Sequence, residues 1–541
     1  MIQPLNLDTS YKVYWRHPTR YKKILFYAKI DGQWYDLSDY VLKVRISNRI
    51  ELLESPAIDT ATVTMRNVNN MFTPTQYNDV FDPVNGKLNG TPEQGYLNKL
   101  WEVRLYILTT RWGDGIELPA GVIEYWRETL LGALNDTVPD GYTASAEDEH
   151  TIIIPLFAGW KPANAITERH KEADIELKDL LWIASQKKPA NPLLYVNYTP
   201  DQIIQDILAN RLGFDASYLD LQTLTTPWKV FIADNNKTWW QISQDITQAT
   251  GGKLTCSPDG KIIFRTRIEN YTEPATAVTI TADDIKNYSI DTKRQYNQIR
   301  IESRGYEIGS STEYVIDHEL QGDASVVKAG QTATFELEYN CEYVKDPANN
   351  VLLTYYLGDT AVAVDRSFTA GQGDGNIRVD KISAHPDKLT LKITNLATSV
   401  DYTIKHVKFS AIPIRLKSEL NLTKPNQTSE PDSELSLTSY YSSEAMLSNV
   451  ADALYSEAKK NIKFSLQMNE FYPDVFAGNL VELQLPPKGI ASGKFLAYSV
   501  EHSLEAQRFQ TTLSIVEWSD VVFSISDKEI TQATPEDAVL P

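Results

Sequence analysis

Apolar residues alternate with polar ones over much of this chain, and that period of two commits it to half-buried antiparallel strands. In VLKVRISNRIELLESPAIDTATVTMRN, which starts at Val41, Val44 and Ile46 alternate with polar neighbours, and so do Ala61, Val63 and Met65. In WEVRLYIL, Trp101, Val103, Leu105 and Ile107 share one face. Strands are also expected at 151–159 and 173–177, and the chain closes on Phe464 to Met468, Leu480 to Leu485, Lys494 to His502 and Phe509 to Val516. Asn69, Asn70 and Pro74 mark a loop, followed by GKLNGTPEQG from Gly86 to Gly95. Residues 110–149 have weak periodicity and many Gly, Asp and Thr, so they read as a long excursion on a barrel rim.

Helical signals are few and local. Thr199-Pro200-Asp201-Gln202 is a capping box with proline at the first helical position. Ile203, Ile204, Ile207, Leu208 and Leu212 continue it as an apolar stripe, and Gly213 stops it. A second helix starts at Thr238 with Gln241 three residues on; Trp239, Ile242, Ile246 and Ala249 line it, and Gly251-Gly252 end it. Pro258-Asp259-Gly260 then sits between two β-prone runs, a hairpin signal. From 303 to 413 short alternating strands with evenly spaced turns predict a β-sandwich. A polar stretch from Ser418 to Thr438 reads as a linker, and a helix from Ser443 to about Lys459 follows, with Met446, Val450, Leu454 and Ala458 on one face.

At about 150 residues per domain, 541 residues predict three to four domains. Lys plus Arg is 52 and Asp plus Glu is 71, a net charge of −19. That disfavours a grip on nucleic-acid phosphates or an anionic membrane, both of which need clustered cations. A hydrophobic fraction of 42% fits a folded chain rather than a disordered one. Cys256 and Cys341 cannot make a disulfide framework and are expected unpaired. No 18-residue apolar run predicts a membrane span, and the start lacks a signal-peptide core, so synthesis in a reducing cytoplasm is expected.

No catalytic, cofactor-binding or metal-binding residue is predicted. Each Gly-Lys pair is followed by Leu, Ile or Phe, not by the Ser or Thr that holds magnesium in a P-loop. No G-x-S-x-G elbow occurs. His318-Glu319 begins a metalloprotease-like fragment, but Gly322 stands where a second histidine is needed. GQGDG, Gly371 to Gly375, lacks the strand–helix frame of a phosphate cradle. Glu147-Asp148-Glu149-His150 could bind a cation, but it reads rather as a solvated acidic loop before a strand. Trp239-Trp240 could stack on a sugar; at helical spacing Trp239 belongs to the core and Trp240 to its boundary. With 71 acidic residues, neighbouring carboxylates arise by chance and carry no glycosidase signal.

Five stretches, taken in order, resemble the hub family of tailed-phage baseplates and tail tips, which includes late-control D type hubs and the N-terminal hub part of siphophage tail-associated proteins. They are ISNRIELLESPAIDTATVTMRNVNNMFTP (Ile46 to Pro74); IPLFAGW (Ile154 to Trp160) with ADIELKDLLWIAS after it; YTPDQIIQDILANRLGF with the Trp-x-x-Ile helix, Gly-Gly and the S-P-D-G-K hairpin; RQYNQIRIESR (Arg294 to Arg304); and the Met446-to-Ala458 helix with FYPDVFAGNLVELQLP and a final pair ending at Trp518. They cover about two-thirds of the chain. The resemblance implies a mainly β fold with α+β parts, in which two antiparallel hub barrels are joined by a small α+β domain and a β-sandwich is inserted. The expected boundaries are an N-terminal arm and first barrel over 1–185, the α+β domain over 186–270, the second barrel over 271–302 plus 414–526 with the strand RQYNQIRIE among its C-terminal strands, the sandwich over 303–413, and a flexible tail over 527–541.

The family implies a homotrimer whose six barrels adapt a sixfold tail tube to a threefold tip and line the DNA conduit, in the virion tail tip or baseplate, made in the bacterial host cytoplasm. Implied partners are the distal tail or tail-tube protein, the tape-measure protein and tip spike or fibre proteins, with the genome passing unbound; no cofactor is implied. The −19 charge is compatible with an acidic conduit wall that repels phosphates. The chain stops at Pro541 without the lysozyme or peptidase module of some family members, so no enzymatic role is expected. The alternatives are a carbohydrate-binding adhesin or receptor-binding protein, with the sandwich as its lectin-like module, and a glycoside hydrolase.

Overall fold

The computed structural model describes residues 22–518 apart from short stretches, the longest of which are 89–99, 111–119 and 136–150. The arm before residue 22, Asn69, Asn70, Pro74, most of Gly86–Gly95, Glu147–His150 and the tail 527–541 lie outside the described residues, as does Gly371–Gly375 apart from a short strand at Gln372–Gly373. The fold is mainly β with α+β parts. Its largest element is one 14-stranded sheet that runs through two barrels.

The first barrel is built from β1 (Lys22–Ile30), β2 (Gln33–Asp36), β3 (Val41–Arg49), β4 (Thr60–Arg66), β5 (Trp101–Thr110), β6 (Thr151–Lys161), β7 (Ile166–Arg169) and β8 (Glu172–Asp179). The alternation read from sequence sets which side chains turn inward. Val44 lies beside Val63, and Val63 beside Ile175, in one row of the sheet. These join Ile46, Trp101, Val103, Leu105 and Ile107 in a single buried core, and each buried aliphatic side chain contributes about 1.5–3 kcal/mol.

Residues 110–149 differ from the expected irregular rim: α1 (Ala120–Asn135) occupies part of them. Trp126 and Leu130 pack on Leu25, Tyr27, Trp34 and Leu108 outside the barrel. Arg127 ties the helix down through Asp36 (2.5 Å) and Asp39 (2.9 Å). The apolar positions Ile123, Trp126, Leu130 and Leu134 do have helical spacing, but no Ser, Thr, Asp or Asn stands at the N-cap.

The second barrel is built from β9 (Thr276–Thr281), β10 (Ile285–Asp291), β14 (Lys463–Met468), β15 (Leu480–Leu485), β16 (Ile490–Glu505) and β17 (Arg508–Glu517). Ile280, Leu466, Leu483, Val500, Leu513 and Ile515 are among its core. Its strand order is β9-β15-β16-β17-β14-β10, and that of the first barrel is β2-β1-β5-β6-β8-β4-β3. With β1 as one extra strand, the two connectivities are the same: β3 and β10, β4 and β14, β5 and β15, β6 and β16, β8 and β17 occupy matching places. In each barrel a 3-10 turn, Ser38–Tyr40 or Ala282–Asp284, carries the chain from one edge strand to the opposite edge. So short a link holds the two edges side by side and closes the sheet.

Between the barrels lies the α+β part. Helix α2 (Trp182–Gln186) precedes α3 (Pro200–Gln205), where the Gln202 side chain accepts from Thr199 N at 3.1 Å; the helix runs on as a π turn and stops at Gly213, whose φ of +81° favours glycine. Helix α4 (Trp239–Ala249) has the expected capping box, Gln241 N to Thr238 Oγ1 at 3.2 Å and Thr238 N to Gln241 Oε1 at 2.9 Å. The hairpin Lys253–Cys256 with Ile262–Arg265 turns at Gly260, as the Pro-Asp-Gly signal implies.

The strand β11 (Gln298–Ser303) does not join the C-terminal strands of the second barrel. It pairs with β12 (Leu420–Lys424) and β13 (Glu434–Ser439) in a separate three-stranded sheet. Ile299 and Ile301 pack in one core with α4 and α5 (Glu444–Ala458). The stretch Ser418 to Thr438 is therefore not a plain linker, because it carries β12 and most of β13. Leu420 and Leu422, and Leu435 and Leu437, alternate with polar residues, but in runs of only five and six residues within a polar stretch.

Two further sheets of seven and four strands enclose a core of Val315, Phe335, Leu389, Leu391, Ile393 and Phe409. This is the sandwich. Tyr402 is half-buried against it, and the Ile404 side chain lies outside the described residues. The sandwich departs from the β11–β12 pair, where Ser303 faces Leu420 and Lys417 N donates to Gly305 O at 2.6 Å.

Candidate functional site

The alternation that buries one face of each strand exposes the other, and the exposed faces of both barrels merge. β3 pairs antiparallel with the C-terminal half of β16, from Lys43 opposite Glu505 to Arg49 opposite Ser499. Across this joint the polar residues fall into rows. One runs Lys178, Thr60, Ser47, Glu501, Thr512, Gln467, Asn287 from β8 to β10. The next runs Glu176, Thr62, Arg45, Ser503, Gln510, and the third Asp174, Thr64, Lys43, Glu505, Arg508. At the joint the face dips into a groove of about 420 Å³ lined by Arg45, Ser47, Thr60, Glu501, Ser503 and Thr512.

This face is hydroxyl- and amide-rich, and its charges balance. In the three rows Lys43, Arg45, Lys178 and Arg508 stand against Asp174, Glu176, Glu501 and Glu505. Lys43 Nζ meets Glu505 at 2.9 Å, and Thr64 Oγ1 donates to Asp174 at 2.7 Å. In these rows every cation has acids among its neighbours, and this charge balance differs from the acidic wall that the net charge of −19 allowed. The sequence placed the strands; the rows depend on register between residues more than 400 positions apart, which no local pattern encodes.

Beneath the joint His502 is buried, its Nδ1 3.1 Å from Thr511 Oγ1 and its ring edge-on to Phe471 at 5.3 Å. Burial pushes its pKa down to about 4, so the ring is neutral. At the ends of β4 and β8 lies a second buried group that the sequence did not single out. Asp59 accepts from Arg49 N at 2.7 Å and from Asn48 Nδ2 at 3.1 Å; Asp179 accepts from Asp59 N at 2.8 Å and from Trp182 N at 3.2 Å. Burial raises Asp59 to about 7, and burial followed by the charge of Asp59 raises Asp179. The pair fastens α2 and the end of β8 to β4. It gives no sequence signal because its members are 120 residues apart.

Trp239 and Trp240 are both buried, at 4% and 7% exposure, so neither forms a sugar-stacking surface and Trp240 belongs to the core rather than its boundary. His318 and Glu319 end a strand of the sandwich sheet, and their side chains lie outside the described residues. Cys256 and Cys341 are free thiols. Among the described residues no group of three His, Cys, Asp or Glu could hold a metal ion, and no helix is long and apolar enough to cross a membrane.

No family model and no curated protein matches the sequence. Solved structures similar to it include the 43 kDa tail protein of prophage MuSo2 from Shewanella oneidensis, 11% identical at a TM-score of 0.44 over 92% of this chain and 98% of that one. A tail protein from Neisseria meningitidis MC58 is 10% identical at 0.43, over 93% and 98%. A prophage tail protein from Listeria monocytogenes EGD-e is 9% identical at 0.38, over 93% and 96%.

Proposed function

We propose that this chain is the structural hub of a phage tail tip or baseplate. Three copies would supply six barrels of matching connectivity, a ring that meets a sixfold tail tube on one side and a threefold tip on the other. The observation that carries the reading is the repeated strand order of the two barrels, together with the β3–β16 joint that fuses their polar faces. A ring built from such units has one continuous hydroxyl-rich wall. We assign that wall to the conduit: balanced charge lets DNA pass during ejection without the counterion release that drives binding. The role is non-enzymatic, and the partners are the tail-tube or distal tail protein, the tape-measure protein and the tip spike or fibre proteins.

The proposed division keeps the barrels and the α+β part, with the sandwich attached through β11 and β12 and projecting outward. Gold-labelled antibody against the chain, applied to intact and tail-stripped virions, tests the placement. Label at the tail tip is expected; label confined to the capsid or to free protein contradicts it.

A further inference from the structure

The β-sandwich guards some of its edges and leaves another bare. At one margin of its four-stranded sheet the strand Gln372–Gly373 is only two residues long. In the seven-stranded sheet the strand Glu313–Glu319 carries a register shift, and Asn340 covers it, donating from N to Val315 O at 2.8 Å and from Nδ2 to Tyr314 O at 3.1 Å. Short strands, bulges and covering groups are ordinary ways of blunting an edge. The other margin of the four-stranded sheet has none of them. It is the strand Thr332–Glu338, seven residues without proline or glycine. Among the described residues it is bonded to Lys388–Asn395 alone, in unbroken register from Thr332 opposite Thr394 to Glu338 opposite Lys388.

The register identifies the bare backbone groups. Asn395 N donates to Gln331 O at 2.9 Å. Bonded pairs recur at every second residue of an antiparallel ladder, so Ala333, Phe335 and Leu337 bond Ile393, Leu391 and Leu389. The N–H and C=O groups of Thr332, Thr334, Glu336 and Glu338 therefore point away from the sheet. The side chains of these same residues are exposed, whereas Phe335 and Leu337 are buried in the sandwich core. This margin is also acidic. Glu336 and Glu338 stand on it, while the cations Lys392 and Lys388 lie one strand inward, opposite Thr334 and Glu338. Lys388 Nζ reaches Glu336 at 3.2 Å, and Glu338 makes no ion pair among the described residues.

We propose that this margin is a docking edge for an extended segment of another protein, which adds to the sheet as a further strand with Lys or Arg at alternate positions and apolar residues between them. In strand addition the main chain supplies affinity and the alternate side chains supply the choice of partner. Basic residues opposite Glu336 and Glu338 attract, and acidic ones there repel. The residues between them turn to the buried side of the sheet, in line with Phe335 and Leu337, and extend the sandwich core. The inference concerns the sandwich alone and does not depend on the hub reading.

Amide hydrogen exchange of the full chain tests it, with three synthetic peptides of the seven-residue length of the strand. One alternates lysine with valine, one alternates glutamate with valine, and the third is the lysine–valine peptide fully N-methylated, which keeps its charge and donates no backbone hydrogen bond. At about ten times its dissociation constant the lysine–valine peptide is expected to slow exchange at Thr334, Glu336 and Glu338 by about tenfold. Unchanged amides at Phe335 and Leu337 show that the sandwich stays folded. The other two peptides are expected to leave exchange unaltered, and Glu336→Lys with Glu338→Lys to transfer the protection to the glutamate–valine peptide. Equal slowing by either control peptide overturns the proposal, and so does no slowing by any peptide at millimolar concentration. Slowing that grows with protein concentration in the absence of peptide, with a doubled mass in solution, makes a second copy the occupant and overturns it as well.

Discussion

Gly159 sits where β6 crosses β8, and replacing it with alanine should open the first barrel. A Cβ there would lie 2.0 Å from the backbone oxygen of Lys178, 2.8 Å from Phe157 Cε1 and 2.9 Å from Asp179 Cα. Two of these three contacts are backbone, so no side-chain rotation relieves them. To reach an ordinary contact of about 3.2 Å or more, the strands must part by over 1 Å. The pairs Lys178–Trp160 and Asp179–Gly159 are the described β6–β8 pairings, and they would loosen together. Overpacking costs about 1–3 kcal/mol, and a buried backbone group left unbonded about 1–3 kcal/mol more. Gly159→Ala is therefore expected to cost about 4 kcal/mol, lowering the melting temperature by roughly 8–16 °C for a unit of this size. Thermal and urea unfolding followed by tryptophan fluorescence measure it, with Trp101 and Trp160 beside the crossing. Gly132→Ala is the reference: nothing lies within 4 Å of its Cβ, and in a helix the change stabilises by about 0.5–1 kcal/mol. A loss below about 1 kcal/mol at Gly159 would refute the reasoning, since it would mean that the crossing has slack.

His502 and Asp59 should give opposite pH slopes. The folded pKa of His502, about 4, lies below the ordinary histidine value of 6.5, so its contribution to stability is lost as pH falls from 6.5 towards 4, by about 3 kcal/mol at most. Asp59 is raised from 3.8 to about 7, so it lowers stability as pH rises across that window, and Asp179 acts in the same direction. Urea midpoints at several pH values should show Asp59→Asn losing stability on acidification more steeply than the parent, and His502→Gln less steeply; slopes unchanged in both variants contradict the burial argument. Replacing residues 305–417 with a short Gly/Ser linker should leave the barrels folded with an unchanged near-ultraviolet circular dichroism band from their buried tryptophans, because Ser303 and Leu420 already face each other. Aggregation of the shortened chain would show the sandwich to be part of the host core.

Legibility followed the range of the forces involved. Period-two alternation identified β3, β4 and β5 because each buries one face, and a side-chain pattern records that directly. Capping boxes at Thr199 and Thr238 and the turn at Gly260 were legible because hydrogen bonds within four residues define them. α1 was not, because its stripe lacks a cap, and β12 and β13 were not, because their partner β11 lies more than a hundred residues away. The polar face was legible only as outward-facing positions. Its rows, the β3–β16 joint and the Asp59–Asp179 contact come from register between distant strands. The repeated connectivity is likewise invisible as a sequence repeat, since strand order constrains the polarity of positions and not their identity.

The central claim is that matched barrels from three copies form one ring, and symmetry-free image averaging of the assembled tail tip tests it most directly. Six barrel densities are expected around an open channel, alternating in two kinds, with three sandwich densities projecting outward at every second position. Six identical densities with six projections, or a single copy on the tail axis with no channel, would contradict it.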